Sequence, residues 1–264
     1  MVSASPNSAS MRENPNALSA WGFYRLDLEF GTLTTGEARI AASSVLNLVM
    51  FGLSLIAALG TAFLAGPTMA GEIESGIALA VMTRPIRRSA VLLGKWLGLA
   101  IFGSGFVAVA GLGQLLIVRA TVGYWPPHPV RGLVLLAAQA TVLLTLGLLL
   151  STAISPMASG IVAVGLFGAT WIAGVVGTVG EALDNENLAQ VGTVSRMLLP
   201  TDGLWRGAMN AFQDPTLLAQ LGPAFEDSPF LGKAPLAVTY LGWAGLWAAL
   251  VLGLAVLAFR RRDL

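Results

Sequence analysis

The sequence contains no cysteine and a single histidine, His128. Without cysteine there is no disulfide framework and no thiolate metal site. A lone imidazole leaves too few ligands for a zinc or copper centre within the chain. Charge is scarce as well. Asp, Glu, Lys and Arg make up 11% of the 264 residues, and the formal net charge is +1, where soluble domains run near about 25% charged. So small a net charge sets up no field that would draw nucleic acid. The opening MVSASPNSASMRENPNALS has no apolar h-region, which excludes a secretory signal peptide.

What the chain has in abundance is apolar surface. AVILMFWYC residues account for 55%, with 31 glycines besides, and the mean hydropathy is +0.75. A globular chain of this size still exposes a large fraction of itself, so packing alone cannot hide this much. A soluble enzyme and a disordered protein are both excluded, and the solvent is a bilayer.

Crossing about 30 Å of hydrocarbon takes about 20 mostly apolar residues at about 1.5 Å each. Five segments qualify, over about 45–68, 91–118, 132–152, 158–179 and 236–259. They are read as helices, because lipid cannot satisfy an exposed backbone, and no alternating strands of barrel type are present. The predicted fold is therefore an all-α membrane protein of five transmembrane helices.

Lys and Arg in the loops set the orientation. Arg84, Arg87, Arg88 and Lys95 lie around the first loop, and Arg260, Arg261 and Arg262 follow the last span. Four crossings separate these sites, so both are expected in the cytoplasm. The 180–235 loop holds seven carboxylates against Arg196, Arg206 and Lys233, as suits an external loop. Only Arg119 and Arg131, flanking TVGYWPPHPV, oppose this orientation. Residues 1–44 then form an external N-terminal segment, although nothing within them can start their export. Trp21–Glu29 cannot cross, because Arg25, Asp27 and Glu29 are costly in the core. The expectation is a span missing upstream of Met1.

The stretch from Met69 to Gly98, MAGEIESGIALAVMTRPIRRSAVLLGKWLG, carries the most information. Glu72 and Glu74 open a short helix where the N-terminal dipole favours negative charge. Ile73, Ile77 and Val81 share one face of it, and Pro85 ends it. The product is an amphipathic helix across the cytoplasmic end of the bundle, suited to a partner's groove. Gly94-Lys95 is not a phosphate loop, because G-x-x-x-x-G-K-[ST] is not met: Ser89 and Trp96 stand where Gly and Ser/Thr belong.

The order E-x-E-x-G, then R-P-x-x-R, then G-K-x-x-G resembles the permease subunits of ABC-2 type ATP-binding cassette transporters, nearest the permease of the nitrous oxide reductase maturation system. The matching residues are Glu72, Glu74, Gly76, Arg84, Pro85, Arg88, Gly94 and Lys95. The terminal FRRRDL, and LLPTDGLWRGAM at Leu198–Met209, are similar to the family's ending and to its external segment before the last span. The likeness covers roughly residues 37–264, so 45–264 is expected to be the transmembrane domain, an ABC-2 permease-like bundle lacking the family's first span.

That resemblance implies an exporter subunit in the inner (plasma) membrane, multi-pass, with a cytoplasmic C-terminus. It implies that Glu72, Glu74, Gly76, Arg84, Pro85, Arg88 and Lys95 belong to a coupling helix that docks on a separate ATPase subunit. The chain would hold no cofactor, ATP being bound by that partner, and a second permease copy would complete a homodimer or heterodimer. The alternatives are a channel or secondary transporter, which internal repeats would favour, or an intramembrane protease, which would need catalytic groups within the spans. No charge lies deep in any span, which argues against a proton relay.

Three further readings remain. Asn47, Gln114, Gln139, Thr141 and Thr145 lie within spans, where they either hydrogen-bond between helices or line a substrate path. Gly94 and Gly98 are read as close-packing positions. In the external loop, Thr201 is expected to cap an amphipathic helix with Asp202 in its first turn and a stripe of Leu204, Trp205, Ala208, Met209 and Phe212. That helix is expected to lie on the outer leaflet with Trp205 at the interface, the alternative being a lid or docking surface.

Overall fold

A computed structural model describes residues 35–71, 87–213 and 234–261. Among them are seven α-helices and no strand: α1 Thr35–Gly66, α2 Arg88–Val122, α3 Pro129–Ser151, α4 Pro156–Ala182, α5 Glu186–Leu198, α6 Thr201–Phe212 and α7 Val238–Arg261. Five are long and apolar enough to cross a bilayer, over Ala42–Gly66, Arg88–Thr121, Pro129–Ser151, Pro156–Ala182 and Val238–Arg261. All five expected spans are present in order, and the protein is a multi-pass, all-α membrane bundle.

Proline and glycine set the helix ends. Pro129 and Pro156 open α3 and α4, where a missing N–H leaves nothing unpaired. α2 stops at Gly123, whose φ of 70° only glycine adopts without strain, and whose N–H bonds the Arg119 carbonyl at 3.0 Å. α1 gives way at Pro67 to a single π-type turn, Pro67–Gly71. At its other end α1 starts at Thr35, so residues 35–44, expected in an external segment, are its first turns. Glu37, Ala38, Arg39, Ala41 and Ala42 are good helix formers there. Hydropathy marks where lipid begins, not where a helix does.

α3 is the central element. Of an apolar 18-residue stretch of its span 61% is buried, against 17% for α7, and it packs on α1, α2, α4, α6 and α7. One cluster joins Leu92 of α2, Leu148 of α3 and Phe259 of α7. It brings Arg87 and Arg88 to the same end of the bundle as Arg260 and Arg261, the basic end. Glu181, Asp184 and Glu186 gather at the α4–α5 turn, the acidic end.

The external helix needs correcting. Asp184 adopts φ 51°, the Asn185 side chain accepts from the Leu188 N–H, and α5 turns back along α4. Backbones nearly touch there: a Cβ on Gly177 would stand 2.6 Å from the Gly192 Cα. The chain reverses again at Leu199 and Pro200, and α6 returns against α3, α1 and α4. At the tip, the hydroxyls of Thr201 and Thr170 lie 3.3 Å apart. Thr170 is twelve residues short of Ala182, where α4 ends, a depth of about 18 Å at the helical rise.

α5 and α6 therefore form a re-entrant hairpin, not a helix lying on the leaflet. Trp205 is 2% exposed, and Leu204, Ala208, Met209 and Phe212 are fully buried. The apolar stripe exists, but the bundle covers it. The Trp205 ring meets Phe51 of α1 at 5.6 Å, and the Tyr124 hydroxyl donates to the Phe212 carbonyl at 2.8 Å. Nor does Thr201 cap α6: Pro200 stands at the cap position and Thr201 is the first helical residue.

Candidate functional site

At the basic end, Glu72, Glu74, Gly76, Arg84 and Pro85 lie outside the described residues. The structure brings together what flanks them. Arg88 is the first residue of α2, and Lys95 lies two turns further on. The Lys95 Nζ donates to the Thr68 carbonyl at 2.9 Å, a cation placed where the C-terminal carbonyls of α1 favour one. One residue later, the Trp96 indole N–H donates to the Thr145 hydroxyl of α3 at 2.9 Å. With Leu92 packed on α3 and α7, both ends of the 72–86 segment are fastened to the bundle. Among the described residues Gly94 and Gly98 have no close neighbour, since a Cβ on either would meet nothing within 4 Å.

Two of the polar contacts inside the spans join helices, Ser54–Gln139 and Trp96–Thr145. The Ser54 hydroxyl of α1 donates to Gln139 Oε1 of α3 at 2.8 Å, both buried. Thr141 and Thr145 return hydrogen bonds to the carbonyls four residues back, and Thr145 also receives the Trp96 bond. Asn47 is 3% exposed, with neither amide atom partnered. Gln114 Oε1 is likewise buried and without a donor.

The hairpin tip carries charge inward. Asp202 Oδ2 accepts from Arg196 Nε of α5 at 3.1 Å and from Arg206 Nε of α6 at 2.9 Å. The Asp202 side chain has no exposed surface, while the arginines are 23% and 15% exposed. Asp202 reaches this place because α4 offers Gly174: a Cβ there would fall 2.4 Å from Asp202 Oδ2. The Tyr240 hydroxyl of α7 donates to the Arg196 carbonyl at 3.0 Å. Two indoles of α7, Trp243 and Trp247, donate to the carbonyls of Met197 and Leu198 at 3.2 and 2.8 Å. α4, α5, α6 and α7 thus meet at one charged knot. Beside it lies a cavity of about 310 Å³, lined among others by Arg196, Arg206 and Tyr240.

The bundle of five candidate spans agrees with the comparison by family model. The model described as "ABC-2 family transporter protein" matches residues 30–264. The chain belongs to the ABC-2 transporter family. No match is found among curated proteins, and none among solved structures.

For this ABC-2 protein, membership means a membrane component of transport that works with an ATP-binding cassette subunit. The charged knot was not legible in the sequence. Asp202 and Arg206 sit four apart in α6, a readable pair. Arg196 joins them only across the Pro200 reversal, and Gly174 only through the fold. Glycines at 174, 177 and 180 on α4 were the available sign that another element lies close against it.

Proposed function

We propose that this chain is the permease subunit of an ATP-driven exporter and that it converts the movements of a separate cassette ATPase into rearrangement of its bundle. The ATPase docks at the basic end, which faces the cytoplasm by the positive-inside rule, on the segment holding Glu72, Glu74, Gly76, Arg84 and Pro85. One observation carries this reading: the Lys95–Thr68 and Trp96–Thr145 bonds fasten that segment's exits to α1 and α3. A displaced segment then shifts the two most interlocked spans rather than flexing by itself. Work is transmitted only if the segment binds the two ATPase conformations unequally. Two permease copies, alike or different, complete the transporter in the inner membrane, with the C-terminus in the cytoplasm.

The sequence likeness to the permease of the nitrous oxide reductase maturation system makes maturation of a copper enzyme outside the cytoplasm a first cargo reading. The family match supports the family and not that branch. The test of the exporter reading is reconstitution in lipid with a partner cassette ATPase. The chain alone is expected to neither bind nor hydrolyse ATP, and the complex to hydrolyse it. Saturable ATP binding by the purified chain refutes the division of labour.

A further inference from the structure

The charged knot is out of balance. Arg196 and Arg206 share the single carboxylate of Asp202, so a partly buried cluster holds one excess positive charge among the described residues. Arg206 Nη2 is buried and has no acceptor among the described residues. An unmatched cation largely withdrawn from water is unfavourable unless an anion meets it. Glu181 lines the neighbouring cavity, but it is exposed and pairs with neither arginine among the described residues. Its charge is therefore screened by solvent.

The cavity has the shape of chemistry that an anionic amphiphile needs. Arg196, Arg206 and Tyr240 form a polar side, and Leu236 and Ala237 an apolar edge. Thr178, also in the lining, lies in the last turns of α4 at the acidic end. With Glu181 it places the cavity near the end of the α4 span rather than at its middle. Guanidinium forks match phosphate oxygens bidentately. We infer that this cavity binds the monoanionic phosphodiester headgroup of a membrane phospholipid, whose one negative charge balances the knot and whose glycerol and chains run along Leu236 and Ala237. The site stands whether or not the exporter reading holds.

Native mass spectrometry of the full chain, stripped of lipid in detergent, tests this with three probes: phosphatidylglycerol, diacylglycerol with the same chains, and inorganic phosphate. One phosphatidylglycerol is expected to bind, with diacylglycerol and inorganic phosphate each weaker by about tenfold or more, because each lacks half of the match. Arg206→Gln is expected to weaken phosphatidylglycerol by about tenfold, and Arg206→Lys by less, since charge survives without the fork. Arg206→Gln also disturbs Asp202, so Ala237→Trp serves as a second variant. Ala237 is exposed at the cavity edge and outside the charged knot, and the indole fills the space. Phosphatidylglycerol binding unchanged in Ala237→Trp overturns the site. Equal binding of diacylglycerol overturns the role of the arginines, and equal binding of inorganic phosphate overturns the lipid assignment.

Discussion

Asp202→Ala removes the one carboxylate that faces two arginines inside the bundle. The Asp202 side chain has no exposed surface, so water does not screen the loss. Removing one partner from a buried ion pair destabilises by about 3–5 kcal/mol. The arginines keep 23% and 15% of their side-chain surface, and the water that reaches them moves the expected loss to the lower end, about 3 kcal/mol. Interhelical polar contacts in membranes average about 0.6 kcal/mol, and surface ion pairs about 0–1 kcal/mol, so the measurement discriminates. Asp202→Asn keeps the volume and one acceptor and is expected to lose about half as much. Glu181→Ala, at an exposed position, should change stability by less than about 0.5 kcal/mol. The assay is reversible unfolding of the full chain in mixed micelles, followed through tryptophan emission, with the buried Trp205 on the same helix as Asp202. A loss below about 1 kcal/mol for Asp202→Ala would mean a hydrated, surface-like pair and would refute a hairpin tip held inside the bundle.

Three further outcomes are expected. Gly174→Leu drives a side chain into Asp202 and should undock the hairpin, read as new protease sensitivity between α4 and α7; an unchanged digestion pattern contradicts the close approach. Ser54→Ala leaves the buried Gln139 Oε1 without its donor and should destabilise by about 1–2 kcal/mol, whereas Ser54→Thr, which keeps the hydroxyl, should lose less. Lys95→Met should leave insertion intact yet lower ATPase stimulation in the assembled complex, because the tie to Thr68 is lost; full stimulation would show that this tie transmits nothing.

The spans were legible because lipid imposes one requirement, a long apolar helix, and Val45–Thr68 or Gly132–Thr152 meets it in plain view. The hairpin was not. α5 and α6 have 13 and 12 residues, too short to cross, and Arg196, Asp202 and Arg206 read singly as groups that belong in water. Only their convergence on one oxygen makes depth tolerable, and that convergence depends on the reversal at Pro200 and on the bare face of Gly174. The amphipathic stripe through Trp205 was read correctly as a stripe, but periodicity says that a face is covered without saying by what. Phe51, its ring partner, lies in a different span. The same limit applies to Gly94 and Gly98, whose spacing promised packing that the described residues do not supply. At the basic end the sequence singled out Lys95 by its place in a pattern; its bond to Thr68 gives that place a physical role.

The most direct test of coupling through the 69–98 segment is the rate of ATP hydrolysis by the complex in lipid nanodiscs, comparing the native chain with the triple change Glu72→Lys, Glu74→Lys, Gly76→Leu. These positions lie between the anchored ends of α1 and α2 and outside the five spans, so insertion should be preserved and can be checked in the same membranes. The expected result is hydrolysis reduced to the rate of the ATPase subunit by itself, with the permease still present in the bilayer. Undiminished stimulation by the triple variant would contradict coupling through this segment and leave it a basic anchor between two spans.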